Sequence, residues 1–464
     1  MTSEAFGTRL VPIDFDGNSS TDIFFSRSLF DETDFLGREF AVWTTGPQGV
    51  IGQSVIGDVS SEWSFPVFAD SNGNGNTDLW FNRFVPGEGD NPATREYAVW
   101  TMNGTEVTGQ AVIGSYISGD WFFNNYGDFD GNNSADLLFD RVVSGEGDTP
   151  ATRQFAVWTV NGTEVTGQAV IGSTSLDWST FQRLGDFNGN GATDLLFDRV
   201  VSGEGDTPAT REYAVWTLNG TEVTGQAVIG SASTDWFISD VADFDGNGSD
   251  DLLFNRFVSG EGDDSGTLEY AVWTLNGTEV TGQAVIGSTS TDWGIFDVAD
   301  FDGNGSNDLL FSRFVPGEGE NPARVDYAVW TLNGTEVTGQ AIVGSTSGDW
   351  LLSGVNDFNG NGSEDLLFSR SFSGGTEFAV WLLNGTEVLE QKVLGTAGED
   401  WSFAGSADFN GNGIADLGFI NFGSSELAAW TLGADGSITS QSVVGTYDNV
   451  EDLAGWTPSL GTFV

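Results

Sequence analysis

The sequence predicts an all-β protein, an eight-bladed β-propeller of four-stranded antiparallel blades with its ring closed by the terminal segments. Three observations carry this prediction. A nine-residue loop rich in Asp, Asn and Gly recurs eight times in the 464 residues, starting at Asp14, Asp70, Asp128, Asp186, Asp243, Asp300, Asp357 and Asp408. The steps between starts are 56, 58, 58, 57, 57, 57 and 51 residues, a period that marks a repeat architecture. Between the loops lie runs that are apolar on both faces, so each sheet must be sandwiched between neighbours. Finally, a tryptophan precedes every loop except the first (63, 121, 178, 236, 293, 350 and 401), while Trp456 stands at the far end with no loop after it. Trp456 to Val464 therefore read as the missing start of repeat one, supplied from the other terminus. Residues 1–464 form a single propeller domain on this reading. Residues 447–464 are a closing or exchanged segment, because residues 8–13 claim the same strand.

In chain order, Thr8 to Ile13 make a short strand candidate that feeds the first loop. After each loop comes a run such as Leu252-Leu253-Phe254-Asn255-Arg256, a strand by its length and bulk. The connector that follows is a Gly/Pro/acid loop in repeats two to six, as in residues 86–92, and shrinks to about residues 373–375 and 423–425 in repeats seven and eight. Length variation at one point of a repeat marks a loop on one face. The third segment, Glu269 to Leu275, carries an Ala-Val-Trp core. Tyr270 and Val272 point one way, and Ala271, Trp273 and Leu275 the other. Asn276-Gly277 supplies a two-residue turn into a fourth strand through Thr278-Glu279-Val280 and Gln283-Ala284-Val285-Ile286. An acid-Trp pair such as Asp292-Trp293 then opens the segment that reaches the next loop.

Composition bounds the function classes. Asp and Glu number 68 against 15 Lys and Arg, a formal net charge of −53, which argues against nucleic acid or an anionic membrane as partner. Cations are the natural partners. With 39% hydrophobic and 13% aromatic residues the chain can still bury a large core. There is no Cys and no His, which removes disulfides, thiolate sites, imidazole sites and His-based triads. The first residues lack a basic and an apolar signal region, and no run of about 18 apolar residues exists, so neither a signal peptide nor membrane insertion is expected. The export route stays open.

The loop itself carries the chemistry. Oxygen-bearing side chains stand at positions 1, 3, 5 and 9, with Gly favoured at 4 and 6, which is the pattern of a calcium cage. The candidate ligands are Asp14, Asp16, Asn18 and Asp22 in the first loop, and Asp70, Asn72, Asn74 and Asp78 in the second. The third and fourth offer Asp128, Asp130, Asn132 and Asp136, then Asp186, Asn188, Asn190 and Asp194. The fifth and sixth offer Asp243, Asp245, Asn247 and Asp251, then Asp300, Asp302, Asn304 and Asp308. The last two offer Asp357, Asn359, Asn361 and Asp365, then Asp408, Asn410, Asn412 and Asp416. Position 7 varies through Ser, Asn, Ala and Ile, so its side chain reads as dispensable and its carbonyl as the ligand. Magnesium, which keeps its water, fits such a cage less well. About eight calcium ions are expected, leaving a charge of about −37. Loops two, four, seven and eight carry Asn at position 3 and should bind more weakly. Ser19 and Asn133 replace Gly at position 6.

These loops, with the repeat length and strand order, resemble the FG-GAP/VCBS family, whose calcium-loop propellers include the head of integrin alpha subunits. The resemblance covers nearly the whole chain. It implies a calcium-bearing propeller and roles in adhesion, sugar binding or surface scaffolding more often than catalysis.

Two rings of tryptophan stand out. The third-strand ring (43, 100, 158, 216, 273, 330, 381 and 430) reads as packing between wedges. The acid-Trp ring reads as packing too, with sugar stacking as the sharper alternative. A recurrent arginine at 27, 83, 141, 199, 256, 313 and 370, with Asn421 in the eighth repeat, is expected to pair with a nearby carboxylate. The Gly-Glu-Gly-acid connectors at 87–90, 145–148, 203–206, 260–263 and 317–320 read as solvated loops. Eight near-identical copies are unlike one active site, so the chain is expected not to be an enzyme. The resulting expectation is a non-enzymatic, calcium-binding surface, matrix or adhesion component outside the cell, partnered by calcium and by glycans or other surface proteins. The alternatives are a multivalent lectin and a self-assembling structural subunit.

Overall fold

The computed structural model describes residues 10–463 except 19–21, 32–33, 47–48, 148, 204, 206, 261–265, 320–321, 422, 425, 447–456 and 460. Eight four-stranded antiparallel sheets follow one another around a ring, one per repeat. The fifth blade shows the plan: Phe237–Ala242, Asp251–Val258, Thr267–Asn276 and Glu279–Ser290, paired in that order. The second strand starts with four buried residues and the third has six in a row, as strands covered on both faces must. The fourth alternates exposed and half-buried residues and forms the outer edge. Gly277 closes the Asn-Gly turn at φ 66°, a conformation that only a residue without Cβ adopts freely. Because all four strands are antiparallel, the nine-residue loops and the Asn-Gly turns share one face of the ring. The acidic connectors and the acid-Trp corners share the other.

The blades are joined by aromatic wedges. Trp273, 4% exposed, lies 4.9 Å from Phe254 of its own blade and 5.8 Å, edge-on, from Tyr213 of the preceding one. The same contact recurs between Tyr270 and Trp330 at 5.9 Å, and between Tyr327 and Trp381 at 6.0 Å. Each such pair contributes about 0.5–1.5 kcal/mol beyond its area. The indole reaches so far because a glycine faces it. A Cβ on Gly230 would stand 2.8 Å from Trp273 Cζ3, and one on Gly114 only 2.6 Å from Trp158 Cζ3. All eight third-strand tryptophans are buried, as expected of packing residues.

The inner strand of the first blade comes from the far end of the chain. Thr457–Ser459 pairs with Ile23–Asp31, setting Phe24 opposite Ser459 and Ser26 opposite Thr457. The competing claim of residues 8–13 resolves without conflict, since Leu10–Pro12 pairs instead with Gly461–Phe463. Trp456, on which the sequence argument turned, lies outside the described residues. The ring thus closes through the chain's own termini.

Candidate metal centres

Each nine-residue loop joins the inner strand of a blade to its second strand, so position 9 opens a strand and is driven inside with it. Asp22, Asp78, Asp136, Asp194, Asp251, Asp308, Asp365 and Asp416 are all 0% exposed. Positions 1 and 3 are half-buried apart from the buried Asn359, and position 5 is exposed apart from the half-buried Asn132.

The buried carboxylate ties the loop to the third strand. In the fifth blade Asp251 Oδ2 accepts the N–H of Phe244 at 2.9 Å, and Oδ1 accepts the N–H of Leu275 at 2.7 Å. The second of these bonds is present in all eight blades. Each oxygen keeps a further lone pair for another partner. Position 1 folds the loop around itself: Asp243 Oδ1 accepts the N–H groups of Gly246 at 2.7 Å and Asp245 at 3.2 Å, and Oδ2 that of Gly248 at 2.8 Å. At position 5, Asn247 donates to the Leu275 carbonyl at 3.2 Å and accepts the Ser249 N–H at 2.6 Å. In loops two and three position 7 makes the carbonyl contact instead, through Asn76 to Met102 at 3.2 Å and Ser134 to Val160 at 2.8 Å. Asn133 takes φ 64° at position 6, tolerating the conformation that glycine supplies in the other described loops.

Four loops gather three carboxylates whose oxygens lie within 4.8 Å of one another: Asp14, Asp16 and Asp22; Asp128, Asp130 and Asp136; Asp243, Asp245 and Asp251; Asp300, Asp302 and Asp308. Burial pushes Asp251 up to about 8, the neighbouring charges of Asp245 and Asp243 add to it, and two backbone N–H bonds oppose it. Asp22, Asp136 and Asp308 are likewise raised to about 8. In all four, burial and two neighbouring aspartates raise the value and two backbone N–H bonds oppose it. A cluster of this kind stands only with protons or a cation among the oxygens. The donor set, carboxylate and amide oxygens alone, suits a hard divalent cation such as calcium. In three of the four loops with Asn at position 3, its amide donates to the position 9 carboxylate: Asn72 to Asp78 at 3.1 Å, Asn188 to Asp194 at 3.1 Å and Asn410 to Asp416 at 2.7 Å. An N–H there takes up part of the excess negative charge.

Sequence reasoning missed that the loops are bonded to one another. The Asp243 carbonyl accepts the N–H of Asn307, position 8 of the next loop, at 2.7 Å, and the Phe244 carbonyl accepts the N–H of Gly334, in the next blade's Asn-Gly turn, at 2.6 Å. The first of these links runs unbroken from Thr77 on Asp14 to Ala415 on Asp357. Position 7 also needs correction. Its side chain varies, yet Asn76, Ser134, Ala192, Ser249, Ser306, Ser363 and Ile414 are all buried. It packs on the position 4 glycine of the preceding loop, as Ser306 Oγ does 3.2 Å from where a Cβ on Gly246 would stand. The tolerance there, laid above to a carbonyl ligand, also reflects the small, uneven gaps between loops. The glycines at position 4 were the available signal.

On the opposite face the recurrent arginine does pair with carboxylates, and with more. Arg256 lies over the Trp236 ring at 4.6 Å and bonds Glu269 at 2.7 Å and Asp235 at 3.4 Å. The arrangement repeats with Arg83 on Trp63, Arg141 on Trp121, Arg199 on Trp178, Arg313 on Trp293 and Arg370 on Trp350. One face of each of these acid-Trp rings is thereby occupied by a guanidinium, which belongs to packing and leaves that face closed to a sugar.

No family model matches the chain, and no curated protein matches it. Solved structures do. A protein described as a dipeptidyl aminopeptidase IV from Bacteroides ovatus aligns over 96% of this chain and 62% of its own, at 8% identity and TM-score 0.43. Prolyl oligopeptidase B from Galerina marginata aligns over 83% and 50%, at 12% identity and TM-score 0.41. An oligogalacturonate lyase in complex with manganese aligns over 91% and 94%, at 11% identity and TM-score 0.38. The chain therefore spans about half to three fifths of the length of these peptidases. The expectation that the chain is not an enzyme is corrected here: the structures it is similar to are described as peptidases and lyases. At these identities the likeness shows the fold alone.

Proposed function

We propose that this protein is a calcium-binding β-propeller of the FG-GAP/VCBS type, whose ions brace the ring, and that it serves outside the cell as a surface, matrix or adhesion component. The observation that carries the reading is the set of four carboxylate triads within 4.8 Å, each including an aspartate 0% exposed. Bound calcium would supply positive charge at these points, held by positions 1, 3, 5 and 9. The chain's own part is to keep the carboxylates converged: the Phe244 and Leu275 N–H groups fix Asp251, and the Leu275 carbonyl fixes Asn247. Outside the cell calcium is abundant enough for sites with affinities of roughly 10⁻⁴ to 10⁻³ M, and cytosolic calcium would leave such sites empty. The charge of −53 supports a cation-rich setting.

Thermal melting with and without chelator tests the proposal. At tenfold excess over its affinity each independent site adds about 1.4 kcal/mol, so eight rival a domain's whole stability of roughly 5–15 kcal/mol. Chelation should lower the melting temperature sharply and calcium should restore it. An unchanged curve in chelator would overturn the reading.

A further inference from the structure

One seam of the ring is built differently from the others. At the heart of each blade's forward face, a second-strand residue stands opposite a third-strand valine: Leu138 and Val157, Leu196 and Val215, Leu253 and Val272, Leu310 and Val329, Leu367 and Val380. In the first two blades the pairs are Phe24 with Val42 and Trp80 with Val99. In the eighth blade both partners shrink, to Gly418 opposite Ala429. Leu427 stands where blades two to seven carry Tyr or Phe, and Thr45 of the first blade stands where the rest carry Leu, Val or Met.

The volume removed is refilled only in part, by the Phe409 ring lying over Gly418. Between the eighth and first blades lies a cavity of about 390 Å³, lined by Gly418, Ala429 and Leu427 on one side and Ile23 and Thr45 on the other. It reaches solvent. Phe409 is half-buried at its mouth, whereas the loop phenylalanines Phe15, Phe129, Phe187, Phe244, Phe301 and Phe358 are all 0% exposed. Ser440 and Ser442 on the outer strand are exposed beside it, where blades two to six place half-buried Gly and Ala, as at Gly282 and Ala284. Burying this wall against its neighbour, as the other seams do, would have gained stability, since a void forfeits about 24 cal/mol per Å³.

We infer that the seam between the last and first blades is a binding site for a small, uncharged, amphipathic molecule. The volume falls in the range of small-molecule clefts, roughly 300–1,000 Å³. Among the described residues no charged side chain lines it, although the chain as a whole carries −53, so the lining favours an uncharged ligand. The floor of Leu427 and Ala429, with Phe409 at the mouth, suits an aromatic or alicyclic body. Thr431, Thr439, Ser440 and Ser442 form one hydroxyl-bearing wall that can take its polar substituents. Asn410 and Asn412, positions 3 and 5 of the eighth loop, also border the cleft, so binding is measured with calcium held constant.

The test uses the full chain with 2-naphthol as a neutral aromatic alcohol, followed by its own fluorescence and by the shift in melting temperature. Wild-type protein should bind one molecule per chain, saturably. The double variant Gly418→Leu/Ala429→Val, which restores the residue pair of the other seams, should lose at least tenfold in affinity. A Cβ on Gly418 would stand 2.7 Å from Phe409 Cζ, so the double variant is checked for folding and Ala429→Val alone serves as the second variant, with a smaller loss. No saturable binding to wild type, or equal binding to a folded filled variant, would overturn the inference.

Discussion

Gly445, in the outer strand of the eighth blade, lies against Trp43 of the first: a Cβ on the glycine would stand 3.1 Å from the indole Cζ3. The same relation holds between Gly57 and Trp100, Gly172 and Trp216, and Gly344 and Trp381. The closing seam therefore keeps the wedge contact of the other seams while losing the filling beneath it. At Gly114, where the approach is 2.6 Å, Gly114→Ala should destabilise by about 1–3 kcal/mol through overpacking. Urea denaturation reads this directly, and a wild-type midpoint would refute the packing account.

The position 9 aspartates should matter even without metal. Asp251→Ala leaves the Phe244 and Leu275 N–H groups buried and unpaired, at about 1–3 kcal/mol each. The loss should persist in chelator, unlike that of Asp245→Asn, which keeps both bonds and should matter only when calcium is present. Equal behaviour of the two variants in chelator would contradict this division of labour.

Protonation gives a third expectation, for the metal-free protein. Asp22, Asp136, Asp194, Asp251, Asp308 and Asp365 are raised to about 8, Asp416 to about 7 and Asp78 to about 6, by burial first. A raised value means that the folded chain holds these protons more tightly than the unfolded chain does. Their contribution is complete below the ordinary carboxylate value near 3.8 and is lost as pH climbs through about 6 to 8. Chelated protein should therefore melt higher at about pH 5 than at about pH 8.5. Saturating calcium should remove or reverse the trend, because metal binding needs the charged carboxylates.

Carboxylate count should sort the loops. Three carboxylates stand in loops one, three, five and six, and two in the rest, so calorimetric titration should resolve two classes of four sites. A single uniform class would argue against a role for position 3.

The arginine over each corner tryptophan sets a smaller effect. Arg256→Ala should cost about 1–2 kcal/mol, combining the stacking on Trp236 with partly screened pairs to Glu269 and Asp235. Arg256→Lys should recover part of it, since lysine keeps the charge and lacks the planar fork. Chemical denaturation of the two variants separates them, and a full rescue by lysine would show that the charge alone matters.

The parts legible in the sequence were those written in local pattern. Strand order followed from alternation at Tyr270 to Leu275, and the closure followed from a surplus corner tryptophan at one end. The convergence of carboxylates within each of four loops followed from spacing. What stayed hidden lies between blades. That Asp243 and Asn307, 64 residues apart, share a backbone hydrogen bond depends on how two units are set side by side, and no window of sequence contains it. Position 7 misled for the same reason: it looks unconstrained along the chain, while its neighbour is the glycine of another loop. The gap at Gly418 was visible as two small residues, but only the pairing of Gly418 with Ala429 shows that both losses fall at one spot.

The closure has a mechanical consequence. Leu10 stands opposite Phe463, Val11 opposite Thr462 and Pro12 opposite Gly461, an antiparallel pair whose two outer ends lie side by side. Tension applied through residues 10 and 463 peels these rungs one after another, and the next to load are those joining Ser459 to Phe24 and Thr457 to Ser26. Force entering through the blades would have to shear many rungs together. The ring is thus a clasp: firm when squeezed or twisted, and released by a pull on its two adjoining ends.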